Sequence, residues 1–151
     1  MKKEQIKTVA DILNEKGGEV ISTTPETTLA DVCKILHGKN IGVALVKDQK
    51  GALLGVISER DIIRGIAEQG LNILCQKVGD LMTRKLVVCR PDTPLDAVLG
   101  SMTGHCFRHL PVMDGEQLLG MISIRDVVKT RLADLESEAK FMREYIQGIT
   151  G

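Results

Sequence analysis

The apolar positions along this chain change period several times, and each change marks an element. Runs with alternating or continuous β-branched residues read as strands, and runs spaced by three and four read as helices. A short apolar run, Glu19–Ser22, leads through a Pro-containing turn into a helix capped by Thr27 or Thr28. That helix carries Leu29, Val32, Ile35 and Leu36 and is expected to close near Gly38 on a glycine cap. Two strands follow, Ile41–Lys47 and Ala52–Ser58, joined by the turn Asp48-Gln-Lys-Gly51, and a second helix starts after Ser58. The same order then recurs. A lead-in run, Leu86–Cys89, precedes a helix with Thr93 as cap and Pro94 at its first position. This helix carries Leu95, Val98, Leu99 and Met102 and is expected to close near Gly104. Strands His109–Met113 and Leu118–Ser123 flank the hairpin signal Asp114-Gly115, and a last helix starts after Ser123.

The recurrence is also one of identity. Pro25-Glu-Thr-Thr-Leu29 lies over Pro91-Asp-Thr-Pro-Leu95 at an offset of 66. At an offset of 65, Leu53-Leu-Gly-Val-Ile-Ser-Glu-Arg-Asp61 lies over Leu118-Leu-Gly-Met-Ile-Ser-Ile-Arg-Asp126, with seven of nine positions identical. The chain is therefore a tandem repeat of mixed helix and strand, each copy strand-helix-strand-strand-helix. One copy leaves a face of its small sheet bare, and two packed together cover it. The expected boundaries are an N-terminal helix over 1–17, repeat one over 18–70, a linker over 71–79, repeat two over 80–130 and a C-terminal helix over 131–151. Ile6, Val9, Ala10 and Leu13 form the stripe of the first of these helices. Val128, Leu132, Leu135, Ala139, Met142, Ile146 and Ile149 form a heptad seam in the last. Such a seam suits either packing on its own domain or contact with a partner chain.

Composition narrows the functions open to this fold. The 151 residues carry 20 Lys plus Arg against 20 Asp plus Glu, a formal balance of zero, which argues against a nucleic-acid binder working through a broad phosphate field. Phe107, Phe141 and Tyr145 are its three aromatics, too few for a base-stacking platform. No apolar run nears the roughly 20 residues of a membrane span. The start, Met1-Lys-Lys-Glu-Gln-Ile-Lys, lacks the apolar stretch of a secretory signal, so a cytoplasmic location is expected. Cys33, Cys75, Cys89 and Cys106 form no CxxC pair and read as reduced, mostly buried residues. Cys33 with His37, and His105 with Cys106, lack third and fourth ligands at metal-site spacing, and no activating motif surrounds Cys75. The motifs of serine hydrolases, P-loops, dinucleotide folds and zinc proteases do not occur, so catalysis is not expected.

The chemistry sits in the repeated Gly-apolar-apolar-Ser-x-Arg-Asp. Its Ser falls where a strand becomes a helix, so the hydroxyl and the helix N–H groups aim at one spot, an anion site by construction. The Asp three residues on lies on the same side, and a carboxylate suits the vicinal hydroxyls of a ribose. Ser58 and Ser123 are thus candidates for phosphate or ribose, Asp61 and Asp126 for ribose, and Arg60 and Arg125 for phosphate. The competing reading is that Ser and Asp merely cap the helix, which accounts less well for the Arg found between them in both copies, and that the Arg is solvated or salt-bridged.

These repeats resemble the CBS domain, named after cystathionine β-synthase, over roughly residues 18–130. Arg108-His-Leu-Pro-Val-Met-Asp114 and the two Gly-Val/Met-Ile-Ser motifs carry the resemblance. It implies a disc of two repeats with pseudo-twofold symmetry, two clefts for adenosine-containing ligands such as AMP, ATP or NAD, dimerisation, and regulation of some other protein. No obligatory cofactor is implied. By the family pattern Arg108 and His109 reach phosphate, while Thr23, Ala44, Val88 and Leu110 pack near adenine. The positions matching Arg108 and His109 in copy one are Gly42 and Val43, so unequal clefts are expected. The competing reading is an adaptor with degenerate clefts that acts through its terminal helices.

Overall fold

The computed structural model describes residues 7–150, with backbone alone at 149 and 150. Ile6, expected in the N-terminal stripe, lies outside the described residues, as does the side chain of Ile149. The elements run α1 (Val9–Lys16), β1 (Ser22–Thr23), α2 (Leu29–Lys39), β2 (Val43–Lys47), β3 (Leu53–Ser58) and α3 (Glu59–Gln69). A 3-10 turn over Leu71–Cys75 leads to α4 (Val78–Leu81), α5 (Leu95–His105), β4 (His109–Asp114), β5 (Gln117–Ser123) and α6 (Ile124–Thr150). One sheet has the order β1-β2-β3, with β1 parallel and β3 antiparallel to β2; the other is the antiparallel hairpin β4-β5.

Strand alternation divides the apolar residues between three cores. In β2, Ala44 and Val46 face α2 and α3 in the core of repeat one, beside Leu29, Val32 and Ile57. Val43 and Leu45 face the other way and meet Met121 of β5, and Val56 and Leu118 pack at the edge of this inter-repeat layer. In repeat two, Leu110, Val112 and Ile122 face α5 and the start of α6. Each fully buried Val, Leu or Ile contributes about 1.5–3 kcal/mol of transfer free energy, so both repeats depend on these faces.

The cores are completed crosswise. Val9 and Ile12 of α1 belong to the core of repeat two, not repeat one. Val9 N–H donates to Thr93 O at 3.0 Å and Leu95 N–H to Lys7 O at 3.2 Å. Correspondingly, Val78 of α4 and the adjoining Met82 belong to the core of repeat one. Val78 N–H donates to Thr27 O at 2.8 Å and Leu29 N–H to Gln76 O at 2.9 Å. The segment ahead of each repeat thus closes the other.

Several local expectations are corrected. The lead-in strand of repeat one forms at Ser22–Thr23 instead of Glu19–Ser22. In repeat two the run Leu86–Cys89 reduces to one parallel bridge, Cys89 to Val112, because the turn at Arg90-Pro91 ends it at once. Thr28 caps α2, its hydroxyl accepting from Asp31 N–H at 3.2 Å. Thr93 does not cap α5: its hydroxyl accepts from Arg90 N–H at 3.0 Å to close the preceding turn, and Pro94 becomes the cap residue. Gly38 and Gly104 lie inside their helices, and the left-handed caps are Asn40 (φ 53°) and Cys106 (φ 59°). Asn tolerates that conformation through its short polar side chain. The cysteines are not mostly buried: Cys89 is, Cys33 is partly so, and Cys75 and Cys106 are exposed. Burial pushes the Cys89 thiol up to about 11. The helix after Ser123 and the C-terminal helix are one uninterrupted element of 27 residues. Among the described residues no helix is long and apolar enough to cross a membrane.

Candidate functional site

The strand-to-helix junctions form as the motif requires. At β3–α3, Ser58 caps the helix and Asp61 reaches back: Ser58 N–H and Oγ–H both donate to Asp61 Oδ2 at 3.0 Å. The other carboxylate oxygen, Oδ1, accepts from Thr83 Oγ1 at 3.1 Å and lies 3.7 Å from Arg64. Asp61 is only 5% exposed, so the first-repeat acid is enclosed and saturated by its own chain. Thr83 comes from the segment after α4, which lies against β3: Val56 N–H donates to Thr83 O at 3.0 Å and Thr83 N–H to Val56 O at 2.8 Å. That crossing accounts for Gly55, where a side chain would collide with the Thr83 carbonyl. The glycine admits backbone.

The β5–α6 junction differs. Ser123 N–H donates to Asp126 Oδ2 at 2.9 Å, and Asp126 N–H to Ser123 Oγ at 3.1 Å. Here the partner from another element is Lys16, at the end of α1. Its ammonium donates to Asp126 Oδ2 at 2.7 Å and to Met121 O at 3.0 Å. The Asp126 side chain stays 25% exposed. Burial pushes its carboxyl up, but the Lys16 ammonium and the Ser123 N–H and hydroxyl outweigh this and hold it below the usual carboxylate range.

Beside it stands His109, which opens β4 and pairs with Ser123 in register. Burial and the positive field of Lys16 lower its pKa, Asp126 opposes, and Arg108 lowers it further, while Glu59 across the repeat boundary opposes. Glu59 is the first residue of α3 and lies against Gly42. The second repeat's junction therefore gathers Lys16, Arg108, His109, Ser123 and Asp126 from three parts of the chain, with Glu59 of the first repeat at its border.

The remaining candidates divide. Arg60, Arg125 and Arg108 are exposed. Thr23 is buried and its hydroxyl donates to Thr27 Oγ1 at 2.8 Å, while Val88 is 46% exposed beside the Cys89 bridge. Ala44 and Leu110 turn their side chains into the cores of their own repeats, at 0% and 1% exposure, leaving only backbone for a ligand. The anion site expected at each helix start is partly consumed: Glu59 N–H donates to Gly42 O at 2.9 Å and Ile124 N–H to Arg108 O at 2.8 Å. Sequence reasoning did not reach Lys16, Thr83 or Glu59. The signal for the first two lay in a second register: Thr8-Val9 with Asp11 recurs as Lys77-Val78 with Asp80, at an offset of 69. A separate groove of about 550 Å³ lies between α2 and α3, lined among others by Cys33, Leu36, His37, Glu59 and Ile63. None of the residues expected to bind nucleotide lines it, and among the described residues no group of three His, Cys, Asp or Glu could hold a metal ion.

Comparison with known proteins agrees with the duplicated fold. The CBS domain model matches residues 8–68 and again 78–133. The mitochondrial CBS domain-containing protein CBSX3 of Arabidopsis thaliana is 34% identical over 149 residues, spanning 93% of this chain and 72% of that one. A CBS-domain protein of Agrobacterium tumefaciens superposes with a TM-score of 0.81 at 38% identity, covering 83% of this chain and 99% of the other. CBSX2, solved in complex with AMP, superposes at 0.69 with 27% identity, covering 83% and 96%. With the family model matched twice over most of its length, and with two repeats packed face to face, the chain belongs to the CBS domain family as a tandem pair.

Proposed function

We propose that this protein is a regulatory module that binds an adenosine nucleotide at the second-repeat junction. The observation that carries this reading is the contrast between the two acids. Asp61 is enclosed and fully hydrogen-bonded, whereas Asp126 is accessible and flanked by Lys16, Arg108 and His109. An accessible carboxylate accepts from two ribose hydroxyls, and adjacent cations neutralise a phosphate. The exposed aliphatic side chain of Val88 suits contact with a purine face. AMP is the leading ligand, in keeping with the AMP complex of CBSX2, with ATP and NAD as extended versions that keep the same adenosine end. Binding that favours one arrangement of the repeats shifts their population, and a regulated partner would sense that shift. We place no catalytic step in the module.

The test is thermal unfolding with AMP, ATP, NAD and adenosine in parallel. At about 100 times the dissociation constant, a single site adds about 2.7 kcal/mol and raises the melting temperature by roughly 5–10 °C. AMP should exceed adenosine, because only AMP engages the cations. Asp126→Asn should remove the shift, and Asp61→Asn should leave it in whatever fraction folds. No response to any of the four compounds would sink this reading and favour the adaptor.

A further inference from the structure

The C-terminal half of α6 has no role in the cleft, and its surface is unusual. Val127 is fully buried in the core of repeat two, and further along the helix Asp134 pairs with Lys7 at 2.7 Å and Arg131 lies 3.7 Å from Asp96. From residue 135 to 148 every described residue is exposed on all sides of the helix. This stretch is about 20 Å long at 1.5 Å per residue. Along the apolar stripe of α6, Leu132 is 56%, Leu135 50% and Met142 54% exposed. A projecting helix of about four turns is marginal in water without packing on its apolar stripe.

The charges beside that stripe say what covers it. With Leu132 and Ala139 at a positions and Leu135 and Met142 at d, Arg131 and Glu138 fall at g, and Glu136 and Arg143 at e. In a parallel, in-register pair, each g residue faces the partner's e residue five positions on. Arg131 then meets Glu136 and Glu138 meets Arg143, attractive in both heptads and, by symmetry, on both flanks. An antiparallel pair over the same stripe sets Leu132 opposite Met142, and places Glu136 and Glu138 against their own copies. We infer that α6 forms a parallel, in-register two-stranded coiled coil with a second copy of this chain, with Leu132, Leu135, Ala139 and Met142 in the seam. The pairing is independent of the nucleotide reading.

The full-length protein tests it in a Cys75→Ser/Cys106→Ser background, which removes the exposed thiols. Light scattering should give a dimer. Met142→Cys should then form a 142–142 disulfide under mild oxidation, which a parallel register alone allows. Glu138→Arg should slow that cross-link about tenfold, and Glu138→Arg/Arg143→Glu should restore it, because only parallel pairing sets these two charges face to face. Both variants lie on exposed positions, and circular dichroism should show the body folded. A monomer, or a dimer in which Met142→Cys fails to cross-link to itself, would overturn the proposal; so would a cross-link indifferent to the charge reversal and its swap.

Discussion

Two aspartates with the same sequence context do different physical work. Asp61 sits in a fully satisfied network with Ser58 and Thr83, so Asp61→Ala leaves half-buried donors without their acceptor. It should destabilise the protein by about 1–3 kcal/mol in denaturant titration. Lys16 and Asp126 form a part-exposed ion pair, and Lys16→Ala should cost no more than about 1 kcal/mol. His109 offers a pH test. Its pKa lies below the ordinary 6.5 because of burial, Lys16 and Arg108, against the pull of Asp126 and Glu59. A depressed base favours folding while neutral, so its contribution is full above that value and is withdrawn as pH falls through the folded pKa. Ligand binding runs the other way: as pH falls from 7.5 to 5.5 the wild type should gain AMP affinity relative to His109→Gln in calorimetric titration, because a protonated imidazole adds a positive charge beside the phosphate. The residue types of the junctions were legible from the repeated motif. What separates the two acids was not, because Thr83 and Lys16 arrive from segments distant in sequence.

At the scale of elements, the helices and paired strands followed from apolar period and cap residues, since local spacing governs them. The misses share one cause. Gly38 and Gly104 were expected to stop their helices, but the chain runs on and turns at Asn40 and Cys106. Thr93 was expected to cap α5, but a nearer backbone N–H takes its hydroxyl. Local chemistry offered two solutions in each case, and packing chose between them. The short helix α1 shows how much a small element can hold: it seals repeat two through Val9 and Ile12, which are 0% and 5% exposed. Ile12→Ala should lower stability by about 2–4 kcal/mol, read by chemical denaturation, and should loosen Lys16 from Asp126 at the same time.

For the whole molecule, the repeat itself was the most legible feature, because identity at fixed offsets needs no structure to see. Its crosswise closure was harder to read, since the relevant offset differs from that of the main motif. The closure implies cooperativity: heat should unfold both repeats together, in one calorimetric transition at any fixed protein concentration. Two separated transitions would show that the repeats stand alone. There is also a consequence for synthesis. When the ribosome has released the first seventy residues, the leading half still lacks Val78 and Met82, while α1 waits for a sheet that has not been made. Neither half can mature before the other emerges, so a nascent chain stalled midway should be open to proteases along its entire length, and the finished repeats should resist them.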